Sequence, residues 1–209
     1  MKIPYQKNYL NRLKNYLKIK ILGIIPRTID DDELLVRGIV SPLFVKKKKL
    51  THNAFLPPPG KTEVSLLRHS YTSDDFCKQH AQSLNIKNQT YTGLATFLNQ
   101  HIAIITDKNN FSVKAKILAS PLNKRFELIK SKLLHKMHPG LPMHADLVYS
   151  EPLQKGVVAT EHRLFADEIL RVSNYFPDPE PSVITKYWRG KSLCWEPNSE
   201  GSCEAKVQS

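Results

Sequence analysis

Glu63-Val64-Ser65-Leu66-Leu67-Arg68-His69-Ser70-Tyr71-Thr72-Ser73-Asp74-Asp75-Phe76-Cys77-Lys78-Gln79-His80-Ala81-Gln82-Ser83-Leu84 holds both kinds of element from which the fold is built. Residues 64–67 form a short aliphatic run that reads as a strand. Ser73 can then cap a helix, with Asp74 and Asp75 in the first turn, where the helix dipole favours negative charge. Phe76, Cys77, His80, Ala81 and Leu84 recur at the spacing of one helical face, which is the face expected to turn inward.

Toward the N-terminus, residues 34–40 read as another strand, entered through acidic residues 30–33 and carrying Arg37 inside it. Between the two strands lies a loop with Lys46, Lys47, Lys48 and Lys49 in a row, closed by Pro57, Pro58, Pro59 and Gly60. Proline lacks the N–H that a ladder or helix needs, so neither element continues through that run. Residues 1–29 contain seven Lys and Arg and no acid before Asp30, and Leu10, Leu13 and Leu17 fall at i, i+3 and i+7. That pattern predicts a basic amphipathic helix over 8–19.

Toward the C-terminus, residues 91–101 fit a helix or a strand equally, and 103–106 and 111–118 read as strands flanking a turn at Asn109 and Asn110. Asn123 is placed to cap a helix in which Phe126, Ile129, Leu133 and Met137 hold helical spacing, ended by Pro139 and Gly140. Residues 143–149 read as a strand. Thr160 opens a last helix with Leu164, Phe165, Ile169 and Val172 inward, and Pro177, Pro179 and Pro181 then break regularity.

Together these segments predict an α+β protein: one core domain over 30–176 with a mixed or mostly antiparallel sheet and at least three helices. A basic N-terminal helix or arm over 1–29 precedes it. A Pro-rich linker and flexible, mobile tail over 177–209 follows.

The 209 residues are 41% hydrophobic and 24% charged, which excludes collagen, coiled coil and wholesale disorder. No apolar run reaches the length of a membrane span, since the best, 19–26, is interrupted by Lys20 and Gly23. Cys77, Cys194 and Cys203 are odd in number and lack any C-x-x-C spacing, which argues against a disulfide framework and for a reducing, cytoplasmic setting. Charge is the one departure from the ordinary. Lys and Arg exceed Asp and Glu by 12 over the chain, and residues 1–50 alone hold 12 basic and 4 acidic residues. Such a surplus predicts an anionic partner.

Two groups of residues carry candidate chemistry. Strand periodicity places His144 and Asp146 on one face, where an imidazole beside a carboxylate can act as an oriented general base; His69 is the further catalytic candidate. Arg37 and Arg68 are candidate anion clamps, because guanidinium grips planar anions in bidentate fashion. Lys14, Lys18 and Lys46, Lys47, Lys48 and Lys49 are candidate phosphate contacts, and Trp188 with Arg189 pairs a ring that can stack on bases with a cation. A solvated loop, a self-satisfied ion pair and a structural histidine are the bland alternatives for these residues.

P-loop, dinucleotide-fold, zincin, hydrolase-elbow and EF-hand motifs are all absent, and no cofactor or metal site is expected. The leading expectation is a basic binding or accessory subunit of a larger prokaryotic-type assembly, contacting nucleic acid or another polyanion and a protein partner. The alternatives are a small enzyme acting on a nucleotide or nucleic acid through the His144–Asp146 pair and an Arg clamp, and a pure protein–protein adaptor.

Overall fold

The computed structural model describes residues 22–84, 88–108, 111–131, 133–154, 159–184 and 187–195. The chain begins with β1 (Ile24–Ile25), β2 (Leu34–Ser41), a small hairpin of β3 (Val45–Lys46) and β4 (Lys49–Leu50), and β5 (Glu63–Arg68). It continues through α1 (Asp74–Ser83), β6 (Thr90–Leu98), α2 (Asn99–Lys108), β7 (Ala115–Ala119) and β8 (Leu134–His135). It closes with β9 (His144–Tyr149), α3 (Ala159–Val172) and β10 (Asn174–Pro177). Six strands form one antiparallel sheet in the order β10-β6-β2-β5-β9-β7. The fold is therefore α+β, with three α-helices among the described residues.

Alternation along β2 divides the core. Leu35 and Ile39 face one side with Phe97, Leu147 and Phe55, where α2 and α3 cover the sheet. The register slips between Ile39 and Val40, Thr92 of β6 being the extra residue, and Val40 packs on that same side. Phe165 and Ile169 of α3 are fully buried there, each contributing about 1.5–3 kcal/mol by leaving water. Val36 faces the other side with Leu67, Leu94, Cys77, Ala81 and Leu141, under α1. Gly38 allows that packing: a β-carbon there would lie 2.8 Å from Cβ of Ala81, so any larger residue would push α1 off the sheet.

α1 starts where its capping signal predicts, with Ser73 Oγ accepting the Phe76 N–H at 3.2 Å. Elsewhere the structure corrects the sequence expectations. Residues 103–106 belong to α2 and not to a strand: Ile102 and Ile105 are buried while Ile104 is 42% exposed, a helical alternation hidden in a short apolar run. The helix expected after Asn123 does not form. Asn123 Oδ1 instead accepts the N–H groups of Arg125 and Glu127 in a tight loop, and Leu122 bridges both Leu128 and Leu141. The helically spaced Phe126, Leu133 and Met137 are consequently left exposed. Residues 174–177, to which the sequence assigns no element and at whose end Pro177 is expected to break regularity, add the edge strand β10 to β6.

The expected N-terminal helix over 8–19 lies outside the described residues. Residues 187–195 fall in the stretch the sequence assigns to a linker and mobile tail, with a fold-back of Tyr187, Trp188 and Trp195 onto the body as the alternative; they are held on the body. Asp75 accepts the Trp188 N–H at 2.6 Å and Asp74 accepts that of Leu193 at 3.1 Å. Thr96 Oγ1 donates to the Cys194 carbonyl, the Trp195 indole N–H donates to the Val172 carbonyl, and Leu193 is buried. Residues 196–209 lie outside the described residues.

Candidate functional site

The ladder between β2 and β5 is only two pairs long, Leu35 with Arg68 and Val36 with Leu67. Beyond Val36, β2 stays paired to β6 as far as Ser41, while β5 stays paired to β9 as far as Glu63. The sheet is therefore split down its middle. Arg37 bridges the split, its Nε–H donating to the Ala54 carbonyl at 3.2 Å and Nη1–H to the Ser65 carbonyl at 2.7 Å. Its guanidinium lies over the Phe44 ring at 5.2 Å. Nη2 has no hydrogen-bond partner among the described residues.

On the α1 side the split opens into a cleft of about 120 Å³. Arg37, Ser65, His80 and His144 supply its polar lining; Val36, Leu67, Leu94, Leu141 and Phe126 supply apolar walls. His144 Nδ1 is 2.9 Å from Ser120 Oγ and 3.0 Å from the Ser120 carbonyl, so Ser120 holds this ring nitrogen in either tautomer and Nε2 is left toward the cleft. Asp146 Oδ1 is 3.9 Å from Nε2, beyond hydrogen-bond range, so Ser120 and not the carboxylate orients the ring. Burial lowers the His144 pKa, against the opposing pull of Asp146 and Ser120. Burial also pushes His80 down to about 4, helped by His144 and Arg37. Burial lowers Arg37 to about 10, so it remains the cation of the cleft at neutral pH, with Asp146 opposing the shift.

The other candidates lie apart from this cleft. Arg68 is 1% exposed and every one of its nitrogens is engaged. Nε and Nη2 grip Glu33 at 2.5 and 2.8 Å, Nη1 and Nη2 hold the carbonyls of Pro26 and Thr28, and the Tyr71 ring lies 4.6 Å away. It ties the chain ahead of β2 to the end of β5 and, at 1% exposure, is shut off from a ligand. His69 pairs with Asp74 at 2.6 Å in a separate depression beside the docked tail. Trp188 donates its indole N–H to the Lys191 carbonyl at 2.7 Å, and Arg189 stands 3.5 Å from Glu180 at the surface. Lys14 and Lys18 lie outside the described residues.

Lys46, Lys47, Lys48 and Lys49 occupy the tip of the β3–β4 hairpin, all exposed. Lys47 and Lys48 are its two-residue turn and take φ of 51° and 63°, the geometry for which hairpins ordinarily select Asn-Gly. Lys46 and Lys49 stand directly opposite one another, a like-charge pair that weakens the ladder. None of the four forms an ion pair among the described residues.

Sequence reasoning missed His80 as a cleft residue, because helical spacing placed it on a packing face; a polar imidazole on that face was the available signal. It also missed the fully buried pair Lys78 Nζ and Asp178 Oδ2, 2.9 Å apart, which fastens α1 to the chain after β10. Nothing in the sequence announces a partner a hundred residues away. Among the described residues no cluster of three or more His, Cys, Asp or Glu is disposed to hold a metal ion, and no helix is long and apolar enough to cross a membrane. Comparison of the chain with protein-family models, with curated proteins and with solved structures gives no match.

Proposed function

We propose that the protein is a basic binding subunit that contacts nucleic acid through the lysine-tipped hairpin. The observation that carries this is the conflict between the tip and its own backbone. Two lysines occupy left-handed turn positions, and two more face each other across the ladder. Each feature costs stability and each is easily relieved by substitution, so the lysines are explained by something outside the fold. Four exposed ammonium groups at a hairpin turn, none in an ion pair among the described residues, are what a phosphate backbone can reach, and such contacts add affinity without reading sequence. The test is fluorescence anisotropy of a labelled oligonucleotide at low salt. The K46S/K47S/K48S/K49S variant loses binding, whereas Lys61→Ser, at another exposed lysine, keeps it. Equal binding by both variants would remove the hairpin from the interface.

A second reading, an enzyme acting on a nucleotide, is favoured by one observation: Arg37 and His144 line the same cleft, with Asp146 close to the imidazole. His144 Nε2 would serve as the base and Arg37 as the anion clamp. Turnover of a nucleotide that disappears in His144→Ala, with folding retained, is its test.

A further inference from the structure

We propose that the cleft beside Arg37 receives one unstacked base of a single-stranded nucleic acid, with Phe126 as the ring it stacks on. The inference rests on the polyanion reading of the hairpin and names the strand it takes. Size comes first: at about 120 Å³ the cleft approaches the roughly 150 Å³ of an engineered cavity that admits benzene, so one ring is what it seats.

Phe126 supplies the second argument. It is 72% exposed at the rim with φ of 59°, a left-handed conformation that is an outlier for a bulky side chain. The Asn123 side chain holds this loop through the N–H groups of Arg125 and Glu127, so the strained ring is presented and not buried. Lys124 and Arg125 precede it, both exposed and neither in an ion pair among the described residues. An aromatic flanked by free cations is the pairing that stacks a base while neutralising its phosphates.

The polar lining of the cleft supplies the third. Arg37 Nη2 has no hydrogen-bond partner among the described residues, His144 Nε2 lies beyond hydrogen-bond range of Asp146, and His80 is held neutral, so it both donates and accepts. Mixed donors and acceptors lining an apolar slot suit the edge of a base better than a bare anion. A base paired within a duplex cannot enter such a slot.

The experiment compares a labelled 12-nucleotide single strand with the same sequence as a duplex, using the full chain, Phe126→Asn and the K46S/K47S/K48S/K49S variant. Asparagine tolerates the left-handed turn, so only the ring is lost. Expected are tighter binding of the single strand by the native protein and roughly a 5- to 100-fold loss in Phe126→Asn for the single strand alone. The lysine variant weakens both forms. In parallel, uridine at millimolar concentration is expected to shift the imidazole NMR signals of His80 and His144. Equal binding of strand and duplex, an unaffected Phe126→Asn, or unmoved imidazole signals would each overturn the proposal. Binding of neither oligonucleotide at low salt would overturn the hairpin reading instead, and the uridine titration would still decide the cleft.

Discussion

Replacing Lys47 by Asn and Lys48 by Gly is expected to make the protein more stable and less able to bind. Both residues hold φ near 60° in a two-residue turn. A non-glycine residue in that region costs roughly 1 kcal/mol, so Asn-Gly recovers about 1–2 kcal/mol over the two positions. For a domain of this size 1 kcal/mol corresponds to about 2–4 °C, which places the expected rise in Tm at roughly 2–8 °C. The same double variant removes two of the four exposed cations at the tip, so affinity for an oligonucleotide should fall as stability rises. Thermal unfolding followed by circular dichroism gives the first quantity and anisotropy the second. Because the effects run in opposite directions, a damaged fold cannot mimic the binding loss. A lowered Tm would refute the strain argument, and undiminished affinity with a raised Tm would refute the role assigned to the lysines.

Arg68→Met leaves Glu33 buried beside a missing cation and should cost about 3–5 kcal/mol in urea unfolding, most of it recovered when Glu33→Leu is added. Stability should also fall with acidification between pH about 6.5 and 4: His80 has its folded pKa held near 4, below the ordinary 6.5, so the unfolded chain binds the extra proton in that window. His80→Phe should flatten this part of the urea midpoint-versus-pH curve; an unchanged slope there would contradict the assignment. The chain has two tryptophans, Trp188 and Trp195, and both sit in the docked tail segment. Asp74→Asn with Asp75→Asn weakens its anchorage, which should appear as a red shift of intrinsic fluorescence without loss of the far-ultraviolet helix signal.

Local signals were legible where one side chain settles the matter within a few residues. Ser73 with Asp74 and Asp75 announced α1, and the alternation through His144 and Asp146 announced both a strand and a shared face. Illegible features depended on partners distant in the chain. Residues 123–137 carry helical spacing, yet Leu122 finds Leu141 and the residues of β8 find β1, contacts that outweigh propensity in a short segment. Arg68 looked available because its occupants, Glu33 and the carbonyls of Pro26 and Thr28, come from 35 to 42 residues away. The split between β2 and β5, and with it the cleft, is a matter of register that no pattern in either strand reveals.

The most direct test is the salt dependence of oligonucleotide binding, measured side by side for the native chain and K46S/K47S/K48S/K49S. Each phosphate contact on a single strand contributes about 0.7 to the slope of log K against log salt concentration, so four engaged lysines predict a slope shallower by roughly 3 in the variant. Parallel lines of equal slope would mean that the lysines of the hairpin never meet a phosphate.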